Sequence, residues 1–258
     1  MLSMLQHWIR YSHRDLVGFG TLEEGRIRVF DGEMFGECRP SGVELPLDAV
    51  TPLRPCTPTK VIAMYNNFAP LVEKLQQRLP SEPQYLLKPP NTYLDPGATI
   101  PVPTVDSRVI FEGELAIVIG RTCKAVSEKE ALSYVFGYTC ANDVTAVDVL
   151  TRDPAFTHWA RAKGFDGFCP FGPVIASGVD PTTLRVRTTL NGQPRQDFPV
   201  SDMHFPVPRL ICSISRDMTL HPGDLILSGT SLGVGVMRPA SSIEIEIPGI
   251  GTLRNRFG

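Results

Sequence analysis

The 258-residue sequence has no long hydrophobic run, because glycine, proline or a charged residue interrupts each apolar stretch. That absence excludes a transmembrane helix, which needs about 20 predominantly apolar residues in succession. Residues 1–16 also lack the apolar core and the small-residue cleavage site of a secretory signal peptide. We therefore expect a soluble, cytoplasmic protein with no membrane partner.

Closely spaced cysteines, paired histidines and clusters of basic residues are also missing. None of the six cysteines belongs to a C-x-x-C pair, and the five histidines form no pair with metal-ligand spacing, which argues against a zinc finger or a thioredoxin-like site. The formal net charge is −2, and no run of lysine and arginine stands out. Nucleic acid is therefore excluded as the main partner.

The remaining pattern consists mainly of short strands. Alternating apolar and polar residues recur between turn signals such as Asn191-Gly192, whereas helix patterns are short and fall at 71–79, 128–136 and 209–216. A proline-rich stretch near Arg54 indicates a boundary between a small N-terminal β domain, 1–54, and a catalytic domain, 55–258. The fold class predicted is a β-rich α+β fold with few short helices.

Two acids precede the most apolar strand of the sequence. Glu112 and Glu114 lie two residues apart in FEGELAIVIG, so their side chains leave the same face of a predicted strand. Beyond Glu114 the strand is apolar on both faces, as in a buried strand. Two buried carboxylates repel each other unless a cation compensates them, and oxygen ligands suit Mg²⁺ or Mn²⁺. Exposure of both acids at a strand end is the alternative.

Three further residues are candidates for the same site. Asp143 ends a predicted strand, although a turn or helix cap is the more frequent role of such a residue. Lys163, placed in a polar loop, is followed by packed aromatic residues; it could stabilise an enolate or carboxylate, or exchange protons if its pKa falls, but a surface lysine is the alternative. Thr230 follows a buried strand in a glycine-rich turn whose backbone N–H groups could bind an anionic oxygen.

Four motifs in order, FEGELAIVIG, GYTCANDVTAVD, RAKGFDGFCPFGP and LHPGDLILSGTSLGVG, resemble the fumarylacetoacetate hydrolase family. The resemblance covers about residues 56–258. It is strongest to the bacterial acylpyruvate hydrolases, oxaloacetate decarboxylases and isomerase/decarboxylases of homoprotocatechuate breakdown. It implies a mixed, rolled β-sheet core that commonly forms a homodimer, and a small-molecule 2-oxo acid substrate from aromatic or small-acid catabolism.

The resemblance also implies roles for individual residues. Glu112, Glu114 and Asp143 match the ligands of Mg²⁺ or Mn²⁺, and Lys163 matches the lysine beside the enolate that this metal stabilises. In substrate binding, Thr230 matches the threonine that holds the substrate carboxylate, although Ser231 replaces the proline that usually follows, and Lys88 matches a lysine near the pocket wall.

The predicted lid, which contains NFAPLVEK (67–74), departs from the hydrolytic members of the family. Those members carry a histidine and a glutamate that activate water, and the corresponding positions here are Leu71 and Lys74, with Glu73 one residue away. We therefore expect decarboxylation or enol–keto isomerisation, which need no activated water. Hydrolysis of a C–C bond stays open if another residue, such as His158, acts as the base. A metal-dependent dicarboxylate-binding protein without turnover is the non-enzymatic alternative.

Overall fold

The computed structural model of the chain describes residues 5–258, which form twenty strands in three sheets. The largest sheet runs in the spatial order β4-β3-β2-β1-β14-β12-β11-β17-β6-β7, with β5 paired to β1 and β8 to β14. Its strands are β1 (Gln6–His13), β2 (Leu16–Glu23), β3 (Arg26–Gly32), β4 (Cys38–Pro46), β5 (Thr51–Leu53), β6 (Val61–Tyr65), β7 (Gln84–Lys88), β8 (Tyr93–Leu94), β11 (Gly113–Ile119), β12 (Val135–Asn142), β14 (Cys169–Ser177) and β17 (Leu225–Leu227).

The two smaller sheets pack around this one. The three-stranded sheet has the order β13-β10-β18 and the five-stranded sheet the order β16-β15-β19-β20-β9. Their strands are β9 (Thr99–Ile100), β10 (Val109–Phe111), β13 (Thr145–Ala146), β15 (Arg185–Leu190), β16 (Gln193–Pro199), β18 (Gly235–Met237), β19 (Ser241–Ile247) and β20 (Gly251–Phe257). Most pairs are antiparallel, but β6–β17, β8–β14 and β9–β20 are parallel, so the predicted β-rich fold with mixed sheets is confirmed.

Five short α-helices complete the described part of the chain. They are α1 (Ala69–Lys74), α2 (Glu128–Ala131), α3 (Val147–Leu150), α4 (Trp159–Lys163) and α5 (Val207–Asp217). Within residues 5–258, none of these helices is long and apolar enough to span a membrane.

The N-terminal strands β1–β5 continue the large sheet rather than forming a separate one. Strand β1 pairs antiparallel with β14, with Trp8 opposite Ile175. The indole ring of Trp8 packs against Phe30 and Phe136. A domain boundary near Arg54 stays a prediction, since the first unit shares its sheet with the second.

Strand β11 crosses the centre of the molecule. Every residue from Gly113 to Ile119 is buried; Leu115 and Ile117 face one core cluster, and Ala116 and Val118 face another. The two-sided burial inferred from the apolar pattern is therefore correct. It also means that the acids at the start of β11 lie at the rim of a dry core.

Three local predictions are corrected by the structure. The strand predicted through Glu112 is broken there, because β10 belongs to the three-stranded sheet and β11 to the large one. The helix predicted over 71–79 ends at Lys74, since Gln76 adopts a positive φ of 55°. The helix predicted over 128–136 ends at Ala131, and β12 begins at Val135.

Candidate active site

The ends of four neighbouring strands meet at one edge of the large sheet. Gly113, which opens β11, lies opposite Asn142, which closes β12. Further along the sheet, Ala116 pairs with Leu227 of β17, and Leu227 pairs with Ala63 of β6. The segments that follow β6, β12 and β17 therefore lie beside the acids at the start of β11.

The three predicted acids converge at this edge. One carboxylate oxygen from each of Glu112, Glu114 and Asp143 lies within 4.8 Å of the other two. Glu112 lies in the break between β10 and β11, where its carbonyl oxygen accepts the Asp143 N–H at 3.0 Å. This backbone hydrogen bond holds the two acidic residues next to each other. This acidic triad could bind a divalent metal ion, as the donor set of three clustered carboxylates is the kind that hard cations prefer.

Two lysines form ion pairs with acids of the triad. The Lys163 ammonium donates to Glu112 at 2.5 Å and to Asp143 at 2.6 Å. The Lys88 ammonium donates to the other Asp143 oxygen at 2.5 Å and to the Lys163 carbonyl oxygen at 3.2 Å. With every group charged, three carboxylates and two ammonium groups leave the cluster with one excess negative charge.

The pKa shifts in the cluster have distinct physical causes. Burial, with the charges of Asp143 and Glu112, raises the pKa of Glu114 well above its ordinary value. Burial opposes ionisation of Asp143 as well, but Lys163 and Lys88 outweigh it and lower the pKa of that acid. For Lys163, burial is again outweighed, here by Asp143 and Glu112, and its pKa is raised. Lys163 is therefore a stable cation, which favours electrostatic stabilisation over proton exchange.

Lys163 lies on a helix rather than in the loop that the sequence predicted. It is the last residue of α4 and is only 4% exposed, so the surface alternative is wrong. Trp159, one turn earlier, is on the same face of α4, and both residues line a cavity of roughly 290 Å³ above the triad.

The turn after β17 closes another side of the cavity. Gly229 adopts a φ of +90°, and its N–H donates to Glu114 at 2.6 Å. Only glycine adopts this conformation without strain. Thr230 lines the cavity, and its hydroxyl donates to the Gly113 carbonyl oxygen at 2.9 Å.

A buried glutamine missed by the sequence analysis organises this turn. The Gln196 amide nitrogen donates to the Thr230 hydroxyl at 2.9 Å, and its oxygen accepts the Gly113 N–H at 3.0 Å. Gln196 therefore ties the turn after β17 to the start of β11. In the sequence, Gln196 could have been noticed as a polar residue on the apolar face of the predicted hairpin at Asn191-Gly192.

Residues 229–233 match the letters G-x-S-x-G, but not the geometry of a nucleophile elbow. That motif requires a strand followed by a helix, whereas here the next element is strand β18. Ser231 is buried and does not line the cavity. We therefore assign it no catalytic role.

Two other predicted site residues lie off the cavity wall. The side chain of Lys88 is fully buried behind Asp143, and His158 precedes α4, where its ring packs against Phe156. Their predicted roles in substrate binding and catalysis stay predictions. In the lid, Leu71 lines the cavity, while Glu73 and Lys74 are exposed and do not.

Comparison with known proteins assigns the chain to a family. Residues 60–258 match the family described as fumarylacetoacetate (FAA) hydrolase C-terminal, and residues 6–55 match the one described as Rv2993c-like, N-terminal. The chain belongs to the fumarylacetoacetate hydrolase family. The acidic triad, the buried lysine and the glycine turn are thus features of a member of this family.

Several relatives of the chain are named as isomerases, tautomerases or decarboxylases of organic acids. The crystal structure of 2-hydroxyhepta-2,4-diene-1,7-dioate isomerase from Mycobacterium marinum superposes with a TM-score of 0.89 at 39% identity, covering 98% of each chain. Oxaloacetate tautomerase YisK of Bacillus subtilis is 39% identical over 70% of this chain and 62% of its own. The 4-hydroxyphenylacetate degradation bifunctional isomerase/decarboxylase of Salmonella dublin is 37% identical over 76% of this chain and 46% of its own.

Proposed function

We propose that the protein is a Mg²⁺- or Mn²⁺-dependent enzyme that tautomerises or decarboxylates a 2-oxo acid. The observation that carries this proposal is the triad Glu112, Glu114 and Asp143, whose two glutamates line the floor of a cavity together with Lys163. A divalent cation held there would act as a Lewis acid on the 2-oxo acid and favour loss of a proton or of CO₂ from the neighbouring carbon.

The residues of the chain supply the rest of the chemistry. Lys163, held as a cation by Glu112 and Asp143, stabilises negative charge that develops on the substrate oxygen. Thr230 lines the cavity, and its hydroxyl, which donates to the Gly113 carbonyl oxygen, would turn from that oxygen to orient the substrate carboxylate. Lys88 balances the charge of Asp143 without entering the cavity, so we propose for it a supporting role.

The lid favours tautomerisation or decarboxylation over hydrolysis. Hydrolysis needs a base that takes a proton from water. In the described part of the chain no histidine lines the cavity, and the lid presents Leu71 and Leu75 to it. C–C bond hydrolysis is therefore the second candidate.

The first experiment tests the metal. Glu114→Ala should abolish activity and weaken Mg²⁺ and Mn²⁺ binding measured by calorimetry, while the circular dichroism spectrum is kept. Glu246→Ala, which removes an exposed acid of β19, is the control and should change neither. Equal metal affinity in parent and Glu114→Ala would remove the triad from the proposal.

The second experiment identifies the reaction. Oxaloacetate, acylpyruvates and ring-cleavage dienoates are incubated with the metal-loaded enzyme, and the mass of each product is measured. Loss of CO₂ indicates decarboxylation, no change in mass accompanied by a spectral change indicates tautomerisation, and gain of water indicates hydrolysis. Dominant gain of water would reverse the proposed order.

A further inference from the structure

The cavity has two chemically different ends. Its floor is charged, with Glu112, Glu114 and Lys163, and its remaining wall is mostly hydrocarbon and aromatic. The wall is built chiefly from Leu71, Leu75, Leu86, Val147, Leu150 and Trp159. A ligand that fills the cavity therefore meets a polar environment at one end and an apolar one at the other.

The apolar wall follows from the spacing of residues on their elements. Leu71 and Leu75 are one turn apart at α1 and both face the cavity. On β7, Leu86 faces the cavity and Leu87 points away and is 48% exposed, as strand alternation requires. On a third side, the rings of Tyr65 and Trp159 pack with their centroids 4.7 Å apart.

No free cation is available to a second acidic group of the ligand. Among residues 5–258, neither arginine nor histidine lines the cavity, and Lys163 is the only lysine that does so. The Lys163 ammonium is already bonded to Glu112 and Asp143. The polar wall residue Asn66 donates its amide to Gln77. A second carboxylate against this wall would lose hydration without gaining a cation to pair with, which is costly.

The net charge of the cluster also favours a ligand with one carboxylate over a ligand with two. The cluster of three acids and two lysines carries one negative charge when fully ionised, and a divalent cation changes it to one positive charge. One substrate carboxylate then neutralises the site. A second carboxylate would leave an excess negative charge in a largely apolar cavity.

We propose that the substrate of this site is a 2-oxo acid with a single carboxylate and an apolar, alkyl or aryl, tail. Of the two proposed reactions, such an acid undergoes tautomerisation, because loss of CO₂ from C3 requires a second carboxylate. This inference rests on the proposed function, because the 2-oxo acid end is placed at the triad. The proposed substrate differs from those in the names of two relatives, oxaloacetate and a heptadiene-dioate, which are dicarboxylic acids. Leu71, Leu86 and Trp159 are then the residues that determine specificity.

Two unreactive analogues test the tail without depending on turnover. N-Isobutyloxamate and N-oxalylglycine share the oxalyl group and differ in bearing an apolar or a carboxylate end. Calorimetry of the Mg²⁺-loaded enzyme should show that N-isobutyloxamate binds at least 10-fold more tightly. Tighter binding of N-oxalylglycine overturns the inference but leaves the proposed function intact, whereas failure of both to bind overturns the two together.

Charge insertion provides the matched test. Leu86→Arg places a cation on the cavity wall and should reverse the order of the two analogues, while Leu87→Arg places the same charge on the opposite face of β7 and should leave it unchanged. Leu71→Arg makes the same insertion on the lid in case Leu86→Arg does not fold. An unchanged order in the folded wall variants would contradict the inference.

Turnover provides a second readout of the preference. Exchange of the C3 protons with D₂O, followed by proton NMR and corrected for the rate without enzyme, is compared for 4-methyl-2-oxopentanoate and oxaloacetate. We expect kcat/KM to be at least 10-fold higher for the apolar acid in the parent enzyme. A higher value for oxaloacetate would overturn the assignment of the tail.

Discussion

Replacing Lys88 by methionine tests whether this lysine balances the charge of the metal site. The Lys88 and Asp143 side chains are 0% and 2% exposed, and their charged atoms are 2.5 Å apart. At that separation the direct attraction is on the order of 7 kcal/mol for an effective dielectric constant of about 20. Removal of one partner from a buried pair typically costs about 3–5 kcal/mol. Because Asp143 keeps Lys163, we expect a loss of about 3 kcal/mol in the free energy of unfolding.

The effect of metal distinguishes charge balance from simple packing. Lys88→Met raises the excess negative charge of the cluster, so a divalent cation should bind the variant more tightly. A tenfold gain in affinity would reduce the stability gap between parent and variant by about 1.4 kcal/mol at saturating metal. Urea unfolding with EDTA and with Mg²⁺ measures both gaps, and calorimetry measures the affinity.

A second ion pair, with a buried acid and a partly exposed lysine, supplies the control. The Lys60 ammonium lies 2.6 Å from the fully buried carboxylate of Asp224, and neither residue lines the cavity. Lys60→Met should destabilise the protein equally with and without Mg²⁺. If Lys88→Met instead binds metal more weakly and its stability gap widens, Lys88 acts by positioning Asp143, and the charge-balance argument is refuted.

Three further predictions follow from the same contacts. Lys163→Met should lower turnover by at least ~10²-fold, the range for a lost electrostatic stabiliser, while calorimetry shows that Mg²⁺ still binds; near-parental rates would refute its role. Leu71→His with Lys74→Glu should raise acylpyruvate hydrolysis above the parental rate, measured by product mass, because a base then lies at the cavity; no increase would show that a lid base is not what the parent lacks. Asp224→Ala should lower the free energy of unfolding by about 3–5 kcal/mol in urea titrations, since the N–H groups of Thr59, Lys60 and His221 lose their acceptor, and a loss below 1 kcal/mol would refute that estimate.

Local sequence patterns predicted the strands that carry the site. Strand β11 was readable because its residues are apolar on both faces, and the β15–β16 hairpin because Asn191 and Gly192 favour positive φ, observed as 51° and 74°. The acids Glu112 and Glu114 stood out as an exception to the apolar pattern. Each of these signals lies within a few residues of the feature it predicts.

Helix lengths were predicted less well because tertiary contacts override local preference. Ser127 and Glu130 have the spacing of a capping box, yet the Ser127 hydroxyl donates to the Glu130 carboxylate at 2.6 Å rather than capping the helix backbone. The residues that follow are then taken into β12, which pairs with both β11 and β14. The hydrogen bonds that β12 makes to strands on both sides are therefore favoured over a longer amphipathic helix.

The contacts that complete the site could not be read from the sequence. Lys88 reaches Asp143 across 55 residues, and Gly229 reaches Glu114 across 115 residues. The role of Gln196 depends on the simultaneous approach of β11 and the turn after β17. No local pattern encodes such approaches, so the depth of Lys88 and the role of Gln196 became visible only in three dimensions.

The buried charges are better explained by function than by stability. Ion pairs in a dry interior cost desolvation energy that their attraction only partly returns, and apolar replacements often fold as stably or more so. Here five ionisable side chains, Glu112, Glu114, Asp143, Lys88 and Lys163, meet beside a core that is otherwise apolar, and three acids against two lysines leave one negative charge without a cation to balance it. Burial, and after it the charges of Asp143 and Glu112, raise the pKa of Glu114. A divalent cation and one substrate carboxylate would together bring the net charge to zero, and the fold therefore places at this edge an arrangement that is fully compensated only when the site is in use.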